Sequence, residues 1–595
     1  MLYSLQVLST VITMEHSHQL VVSPHVVDLI KQNIAQVKHT QDVPSWIAKS
    51  SEPYFLHRCL EIGVFQHIID WKKFVKGLTA LKTNPYIKHD NGEDPTKYLV
   101  VRDIVASAQP DEEKNKLQNA TTKRYSFATW ALWNNPSNRS KMYLPVQNIV
   151  AYCKFNNLDL EEFYKHVRKH HTAKGVMISV DLHDAEKQIE NMLLKSVPMG
   201  VIPPTYPELD VYQNATIKKM LESPFAALQG GAGVGKTTTM AKLITSLVHA
   251  SPPVIVHCLA FTHKAKRCIM EKLSANGLMD PSLIKVSTIH SFIATANAGS
   301  TIPACYILID ESSMIDVELL ASLAQVIMDK CNKFQIGFSG DMMQLPPIGR
   351  GEFYRHLVST KGEHVNELHK CYRTDRPDLF EAYQNIRNSE MPNTTNNFKV
   401  IYVDNDKEIN SHIGKIIHSN TEGLLSNVQF IAWQNKDVFK INQWVQSALL
   451  KNKLIGPEYF HGLYKNDKVI YRGENTKTLT NALIGRVVEL GSKSMIIEWE
   501  DGQRTPISHD GVKSINLAYA LTVHCLQGSE CSKAIVACYD VDKMKYCLDK
   551  RFLYTGVTRG KEEVIIVTTR NIQDFLNTQI RPPPLTGIQI PINLH

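Results

Sequence analysis

Ala226-Ala227-Leu228-Gln229-Gly230-Gly231-Ala232-Gly233-Val234-Gly235-Lys236-Thr237-Thr238 decides how the rest of the chain is read. The apolar run Ala226–Leu228 predicts a strand, and the run from Thr238 to His249 predicts a helix. The glycines therefore sit where a strand hands over to a helix, in the spacing Gly230-x-x-x-x-Gly235-Lys236-Thr237 of a phosphate-binding loop. Glycines let successive backbone N–H groups curl round phosphate oxygens, and the helix N-terminus adds a favourable dipole. Gly230, Gly231, Ala232, Gly233, Val234, Gly235, Lys236, Thr237 and Thr238 are the candidate nucleotide-binding residues. Lys236 would bring charge to the β- and γ-phosphates of ATP, and Thr237 a hydroxyl to Mg2+.

Outward from this loop, the short apolar runs Val254–Phe261, Lys285–Val286, Tyr306–Ile309 and Gln335–Phe338 alternate with helical patterns. That rhythm predicts an α/β fold, a parallel sheet with helices on both faces. Ile307-Leu308-Ile309-Asp310-Glu311 ends one such strand in two acids. Carboxylates at the edge of a buried strand are costly without a cation. Asp310 is thus a candidate metal ligand beside Thr237, and Glu311 a candidate base for an attacking water. A second sheet region begins at Val428–Trp433 and resumes at Lys533–Cys538 and Val564–Thr568. Between its parts, Lys468–Arg472, Arg486–Leu490 and Ser494–Glu500 alternate in the β manner, and an Asp501-Gly502 turn follows. A small inserted β-barrel over residues 465–516 is expected.

Upstream, the patterns predict helices at Val146–Cys153, Leu160–His170 and Asp184–Leu194 and a strand at Val176–Val180, a winged-helix-like module over 144–197. Residues 198–207 hold four prolines and one glycine and read as an extended linker. Residues 1–143 read as a mainly helical N-terminal region without an assignable role. Trp130, Trp133, Arg139 and Lys141 there suit either an aromatic and basic binding patch or a partly buried core. The tail 581–595, with Pro582-Pro583-Pro584, is expected to be exposed and extended.

The chain has 595 residues, room for about three to five domains. Its hydrophobic fraction of 43% and charged fraction of 21% are those of a globular protein and argue against wholesale disorder. Net charge is +8, from 66 Lys and Arg against 58 Asp and Glu, which suits a polyanion partner without demanding one. The 11 cysteines form no Cys-x-x-Cys pair and no zinc spacing, so reduced thiols, no zinc and a cytoplasmic or nuclear location are expected. No apolar run reaches transmembrane length, and Met1 to Met14 lacks the basic start and cleavage site of a secretory signal. No membrane partner and no secretion are therefore expected.

Around the phosphate loop stands an ordered set of further motifs. Gln213 precedes it. Ala260-Phe261-Thr262-His263-Lys264-Ala265-Lys266, Thr288-Ile289-His290-Ser291 and Asp310-Glu311-Ser312-Ser313-Met314 follow in turn. Then come Gly340-Asp341-Met342-Met343-Gln344-Leu345-Pro346-Pro347 and Leu368-His369-Lys370-Cys371-Tyr372-Arg373. Thr522-Val523-His524-Cys525-Leu526-Gln527-Gly528-Ser529-Glu530 and Tyr554-Thr555-Gly556-Val557-Thr558-Arg559-Gly560-Lys561 complete the series. In kind and order this set resembles the superfamily 1 helicases, in the RecD-like branch that includes Dda-like and Pif-type enzymes, from about Glu208 to Arg570.

The resemblance implies two RecA-like P-loop motor domains, one at 208–390 and one at 391–464 with 517–580, the barrel at 465–516 being inserted in the second. It implies that Gln213 reads adenine and that Gly528 and Glu530 face the nucleotide. Gln344, Arg373 and Arg559 would reach the γ-phosphate, with Arg559 as arginine finger. Thr262, His263, Thr288, His290, Thr522 and His524 would touch nucleic acid. The implied activity is that of an ATP-dependent DNA helicase or translocase. It would move 5′→3′ on single-stranded or tailed duplex DNA in replication, recombination or repair, with proteins of those processes as partners. A viral-type RNA helicase, which often carries an N-terminal zinc module, is the rival within the class. A nucleic-acid-binding structural subunit with little hydrolysis is the rival outside it. The chain departs from the branch at Lys266, where a small residue is usual. It also departs at Phe292–Ala304, a short stretch where the branch places a strand-separating hairpin.

Overall fold

The computed structural model describes residues 113–578 apart from short gaps (135–137, 139–140, 157, 300, 361, 371, 373–375, 457–458, 474–475, 477–478, 480, 492, 501 and 540–548). It also describes residues 586–591 and the two-residue strands Thr13–Met14 and Leu20–Val21, which pair antiparallel. The chain divides into two compact units, one of residues 1–139 with 143–181, the other of residues 140–142 with 182–595.

In the first unit, helix Glu113–Asn134 is joined by helices Val146–Phe155 and Leu160–Tyr164 and by a three-stranded antiparallel sheet. The helix expected to run from Leu160 to His170 stops at Tyr164, and Val167–Lys169 is a strand paired with Val176–Ser179. The four-residue spacing of buried Phe163 and Val167 imitates a helix face, but ladder pairing takes Val167. Trp133 is only 1% exposed and belongs to the core, Trp130 is 41% exposed, and Arg139 lies outside the described residues. The aromatic pair therefore does not form one surface patch. The helix expected at Asp184 begins at Val180, directly after the strand, and runs to Lys195.

The second unit holds two parallel sheets. The first comprises β1 (Phe225–Gly230), β2 (Ile255–Ala260), β3 (Ile284–Thr288), β4 (Cys305–Ile309), β5 (Phe334–Gly340) and β6 (Val365–Leu368). Their order is β6-β1-β5-β4-β2-β3, all parallel. All of β1, β4 and β5 is buried, as strands covered on both faces of a parallel sheet should be, including the polar Gln229, Gln335 and Ser339. The sheet's helices include α1 (Val211–Glu222), α2 (Lys236–Val248), α3 (His263–Ala275) and α4 (Ile289–Ala298). In place of a hairpin, the segment after Thr288 is α4, followed by a short connection into β4.

The second sheet comprises β7 (Phe398–Tyr402), β8 (Val428–Ala432), β14 (Ala520–Thr522), β15 (Cys531–Cys538) and β16 (Gly560–Thr568), in the parallel order β7-β16-β15-β8-β14. Between β8 and β14 the chain makes β9 (Lys468–Tyr471), β10 (Ile484–Leu490), β11 (Ser494–Trp499), β12 (Arg504–Ser508) and β13 (Ile515–Leu517). These form an antiparallel sheet ordered β12-β11-β10-β9-β13. Among the described residues the edge strands β12 and β13 are not paired with each other, so the inserted segment forms a five-stranded antiparallel sheet without the closure that the expected barrel would need. Helix α5 (Pro377–Asn388), expected in the first motor domain, buries Leu379, Tyr383 and Ile386 in the core of the second sheet with α6 (Lys550–Val557).

Residues 198–207 carry no helix or strand but are docked rather than free. Met199 N–H donates to Gln335 Oε1 at 2.9 Å, and Tyr206 OH to Lys242 O at 3.1 Å. The described part of the tail is also seated, which corrects the expectation of an exposed end. Ile588 is 3% exposed, Gly587 N–H donates to Glu186 at 2.8 Å and Gln589 N–H to Glu190 at 2.7 Å.

Candidate functional site

The C-terminal ends of parallel strands are where α/β sheets hold ligands, and the candidate residues collect there. β1 ends in Gly230, and Gly233 (φ 81°) and Gly235 (φ 82°) turn the backbone left-handed into α2. A Cβ on Gly235 would lie 2.6 Å from Gln213 Nε2, so space as well as φ demands glycine. Lys236 Nζ donates to Gly230 O at 2.6 Å and Gly231 O at 3.0 Å. Thr237 Oγ1 accepts from Lys272 Nζ at 2.9 Å. Val234 points away, 1% exposed in the first core.

Gln213 stands beside this loop as the third residue of α1. Its amide oxygen accepts from Asp210 N–H at 3.2 Å, and Asp210 accepts from Gln213 N–H at 2.7 Å, a reciprocal cap. Tyr372 closes over both: its N–H donates to Gly233 O at 3.0 Å and its hydroxyl to Asp210 at 2.5 Å. Arg373, expected at the γ-phosphate, lies outside the described residues.

Asp310 follows β4, its N–H donating to Leu259 O at 2.9 Å. Glu311 is held at φ 51°, the left-handed region that a non-glycine residue seldom enters. Its Oε2 is buried without a hydrogen-bond partner, as is Gln344 Oε1. Burial, then the neighbouring Asp310 charge, push the Glu311 carboxyl above the usual carboxylate range, while Lys236 and Arg559 pull the other way.

From the second sheet, Arg559 follows α6 and is 5% exposed. Its guanidinium donates within its own lobe, to Thr555 O at 3.0 Å, Ser529 O at 3.1 Å and Thr558 Oγ1 at 3.1 Å. Gly528 has φ 72°, and Glu530 pairs with Lys561 at 2.6 Å. Lys236, Thr237, Asp310, Glu311 and Gln344 thus face Gly528, Glu530 and Arg559 across one cleft of about 690 Å3. That is the room of a small-molecule site, roughly 300–1,000 Å3. Gly231, Ala232, Gly233, Gly235 and Thr238 also line it, whereas Gln213, Gly230 and Val234 do not. The donor set fits a hard cation such as Mg2+: a hydroxyl (Thr237), a carboxylate (Asp310) and a buried, unpartnered carboxylate oxygen on Glu311.

The six residues expected at nucleic acid fall into two groups at strand ends. Ala260 pairs with Thr288 in register across β2 and β3, and Ala432 with Thr522 across β8 and β14. Thr262 and Thr288 are N-caps, accepting from Ala265 N–H at 3.1 Å and Ser291 N–H at 3.2 Å. His263 is half-buried and His290 exposed; burial, then Lys266 and His290, hold His263 below the usual imidazole range. His524 lies 5.0 Å from the Trp433 ring, and burial lowers its pKa.

Sequence reasoning missed the residues that join the lobes. Tyr554, on α6, donates to Asp341 Oδ2 at 2.8 Å and accepts from Ala232 N–H at 3.3 Å. Thr555 Oγ1 accepts from Leu345 N–H at 3.0 Å. Arg267 and Lys264 on α3 reach Glu500, after β11, at 2.9 and 3.7 Å. Asp341 and Tyr554 lie inside motifs, which was a signal of place but not of partner. Arg267 and Glu500 carried no local signal.

Residues 208–401 match a family model described as an AAA domain, and residues 517–567 one described as a UvrD-like helicase C-terminal domain. The chain is 23% identical over 502 residues to the uncharacterized protein MJ1519 of Methanocaldococcus jannaschii, covering 68% of this chain but 42% of that one. It is 22% identical over 456 residues to the RecBCD enzyme subunit RecD of Buchnera aphidicola, covering 62% of this chain and 73% of the relative. Among solved structures, Pif1 helicase from Candida albicans is 15% identical, with 63% of this chain and 97% of that chain covered and a TM-score of 0.39. Two separate stretches of the chain thus match an AAA-domain model and a helicase C-terminal model, and its ordered motifs and RecD relatives make it similar to the superfamily 1 helicases of the RecD-like branch.

Proposed function

We propose that this protein is an ATP-driven DNA helicase or translocase that moves 5′→3′ on single-stranded or tailed duplex DNA in replication, recombination or repair, in a reducing compartment of the cytoplasm or nucleus. The observation that carries the reading is the cleft in which Lys236, Asp310, Glu311 and Gln344 from one parallel sheet face Arg559 from the other. Phosphoryl transfer needs charge neutralised on both sides of the γ-phosphate. A cleft with cations on both walls, Lys236 at the phosphate loop and Arg559 opposite, supplies that only when closed, so ATP draws the lobes together and hydrolysis releases them.

Lys236 exchanges its carbonyl partners for phosphate oxygens. Glu311, whose raised pKa suits a general base, takes a proton from the attacking water. Arg559 leaves the carbonyls of Thr555 and Ser529 for the γ-phosphate. Gln344, its amide oxygen unpartnered, orients the water or the γ-phosphate and links it to the strand. Thr237 and Asp310 would hold Mg2+, which would supply further neutralisation of the β- and γ-phosphates. Thr262, His263 and His290 on one lobe and Thr522 and His524 on the other then grip the strand in alternation.

Unwinding of matched 5′- and 3′-tailed duplexes, DNA and RNA side by side, tests the reading, with Lys236→Ala as control. Unwinding of the 5′-tailed DNA and strand-stimulated ATPase are expected, both abolished by K236A in a protein that still folds. Unwinding of 3′-tailed DNA alone refutes the polarity, and of RNA alone the substrate. Wild-type protein that binds strand without hydrolysis refutes the motor in favour of a structural subunit.

A further inference from the structure

Among the contacts by which the two lobes meet deep in the cleft, one phenol reaches the phosphate loop itself. Tyr554 leaves α6 of the second lobe and enters the first, so close to the phosphate loop that a Cβ on Gly231 would lie 2.8 Å from its hydroxyl. The hydroxyl accepts from Ala232 N–H at 3.3 Å and donates to Asp341 Oδ2 at 2.8 Å. Asp341 is fully buried, and its two oxygens are served unequally. Oδ1 accepts from Gln229 Nε2 at 3.2 Å and Met343 N–H at 3.1 Å, with Arg387 Nη2 3.8 Å away. Oδ2 has the Tyr554 hydroxyl as its donor. Burial, then the Asp341 charge, keep the phenol protonated far above neutral pH, so it remains a donor throughout the working range.

What hangs on these atoms is the reaction centre. Asp341 O accepts from Gln344 N–H at 3.1 Å, so Asp341 fixes the start of the loop that carries Gln344. One residue after Tyr554, Thr555 Oγ1 accepts from Leu345 N–H at 3.0 Å, just beyond Gln344. Thr555 O also holds Arg559 Nε at 3.0 Å. The phosphate loop, the glutamine loop and the arginine helix are thus registered within one short hydrogen-bond chain.

We propose that Tyr554 is a positioning residue that transmits lobe closure to the reaction centre, its hydroxyl holding Ala232 N–H and Asp341 at once so that Arg559 and Gln344 are delivered in register with the phosphate loop. The inference rests on the motor reading and names a residue that couples its two halves. Tyr554 touches neither phosphate nor water in this role; it acts through Gln344 and Arg559. A coupling residue should leave separate ligand affinities alone and remove their interdependence.

The test is Tyr554→Phe in the full chain. Affinity for a fluorescent ADP and, separately, for a dT oligonucleotide should stay within about 3-fold of wild type, whereas strand-stimulated kcat should fall about 10- to 100-fold with little change in KM. The factor by which ADP–aluminium fluoride changes oligonucleotide affinity should collapse towards one. Tyr554→Phe with Asp341→Asn should be no worse than Asp341→Asn alone, because both remove one interaction. Y554F with undiminished stimulated kcat and undiminished nucleotide–strand coupling overturns the proposal, as does a double variant whose losses simply multiply. If Y554F loses ADP affinity in proportion to kcat, the phenol only shapes the binding site and the proposal is likewise overturned. Wild-type protein without strand stimulation refutes the motor reading itself and takes this inference with it.

Discussion

Replacing Glu311 by glutamine should stop hydrolysis and stabilise the protein at the same time. The side chain keeps its shape, and either residue bears the same left-handed backbone at φ 51°, so strain cancels from the comparison. What changes is a buried carboxyl with an unpartnered Oε2 and a raised pKa. A carboxyl whose folded pKa lies above its unfolded value of about 4.3 is matched by neutral glutamine while it is protonated, and costs stability relative to glutamine once it ionises. Below the unfolded pKa that cost is absent; it grows as pH rises and is complete above the folded pKa, where the fold carries the buried charge. Each unit of upward shift is worth ~1.4 kcal/mol. E311Q should therefore be more stable than wild type at pH 8, and the difference should shrink towards pH 5. Denaturant titration without nucleotide at several pH values measures it. Stimulated kcat should fall on the order of 10²–10⁴-fold with nucleotide affinity retained, as for loss of a general base. An E311Q protein no more stable than wild type at pH 8, or a difference that grows on acidification, would refute the account of this carboxyl.

Ile588→Ala should destabilise the second unit by about 2–4 kcal/mol, because the side chain is only 3% exposed; a change under about 0.5 kcal/mol in denaturant titration would mean the tail only rests on the surface. A double-mutant cycle on Arg267 and Glu500, whose side chains are 27% and 30% exposed, should give a coupling below about 1 kcal/mol that falls further with salt. A salt-insensitive coupling above about 2 kcal/mol would make the pair a structural lock across the cleft mouth rather than a weak tie.

The parts that were legible in the sequence are those whose chemistry is local. The phosphate loop and the strand-end acids each need particular residue types within a few positions, and apolar runs announce parallel strands. What was illegible depends on partners far along the chain. The boundary drawn at 390 placed Pro377–Asn388 with the first motor domain, yet Leu379, Tyr383 and Ile386 pack in the core of the second sheet. Three prolines in a row argued for a free tail. Yet residues 586–591 carry backbone donors that the buried carboxylates of Glu186 and Glu190 accept, nearly 400 positions away. Ala232 and Tyr554 stand 322 positions apart, and nothing near either one signals the other.

The arrangement of cations in the cleft explains why closure should wait for nucleotide. Lys236 and Arg559 are each satisfied by neutral oxygens of their own lobe: Gly230 O and Gly231 O for one, Thr555 O, Ser529 O and Thr558 Oγ1 for the other. Neither is locked to a carboxylate; the ion pairs that span the lobes are made by other residues, Arg387 with Asp341 and Glu367 and Arg551 with Glu352. Hydrogen bonds from a cation to phosphate are stronger than those to a neutral carbonyl, so each exchange is favourable once a triphosphate is present. Lys236 can make its exchange in the open cleft. Arg559 gains only if α6 advances, and α6 is the helix that Tyr554 and Thr555 fasten to the loops bearing Asp341 and Gln344. In the proposed motor it is through Arg559 that a triphosphate would discriminate between open and closed arrangements, the differential affinity that any ligand-driven conformational change requires.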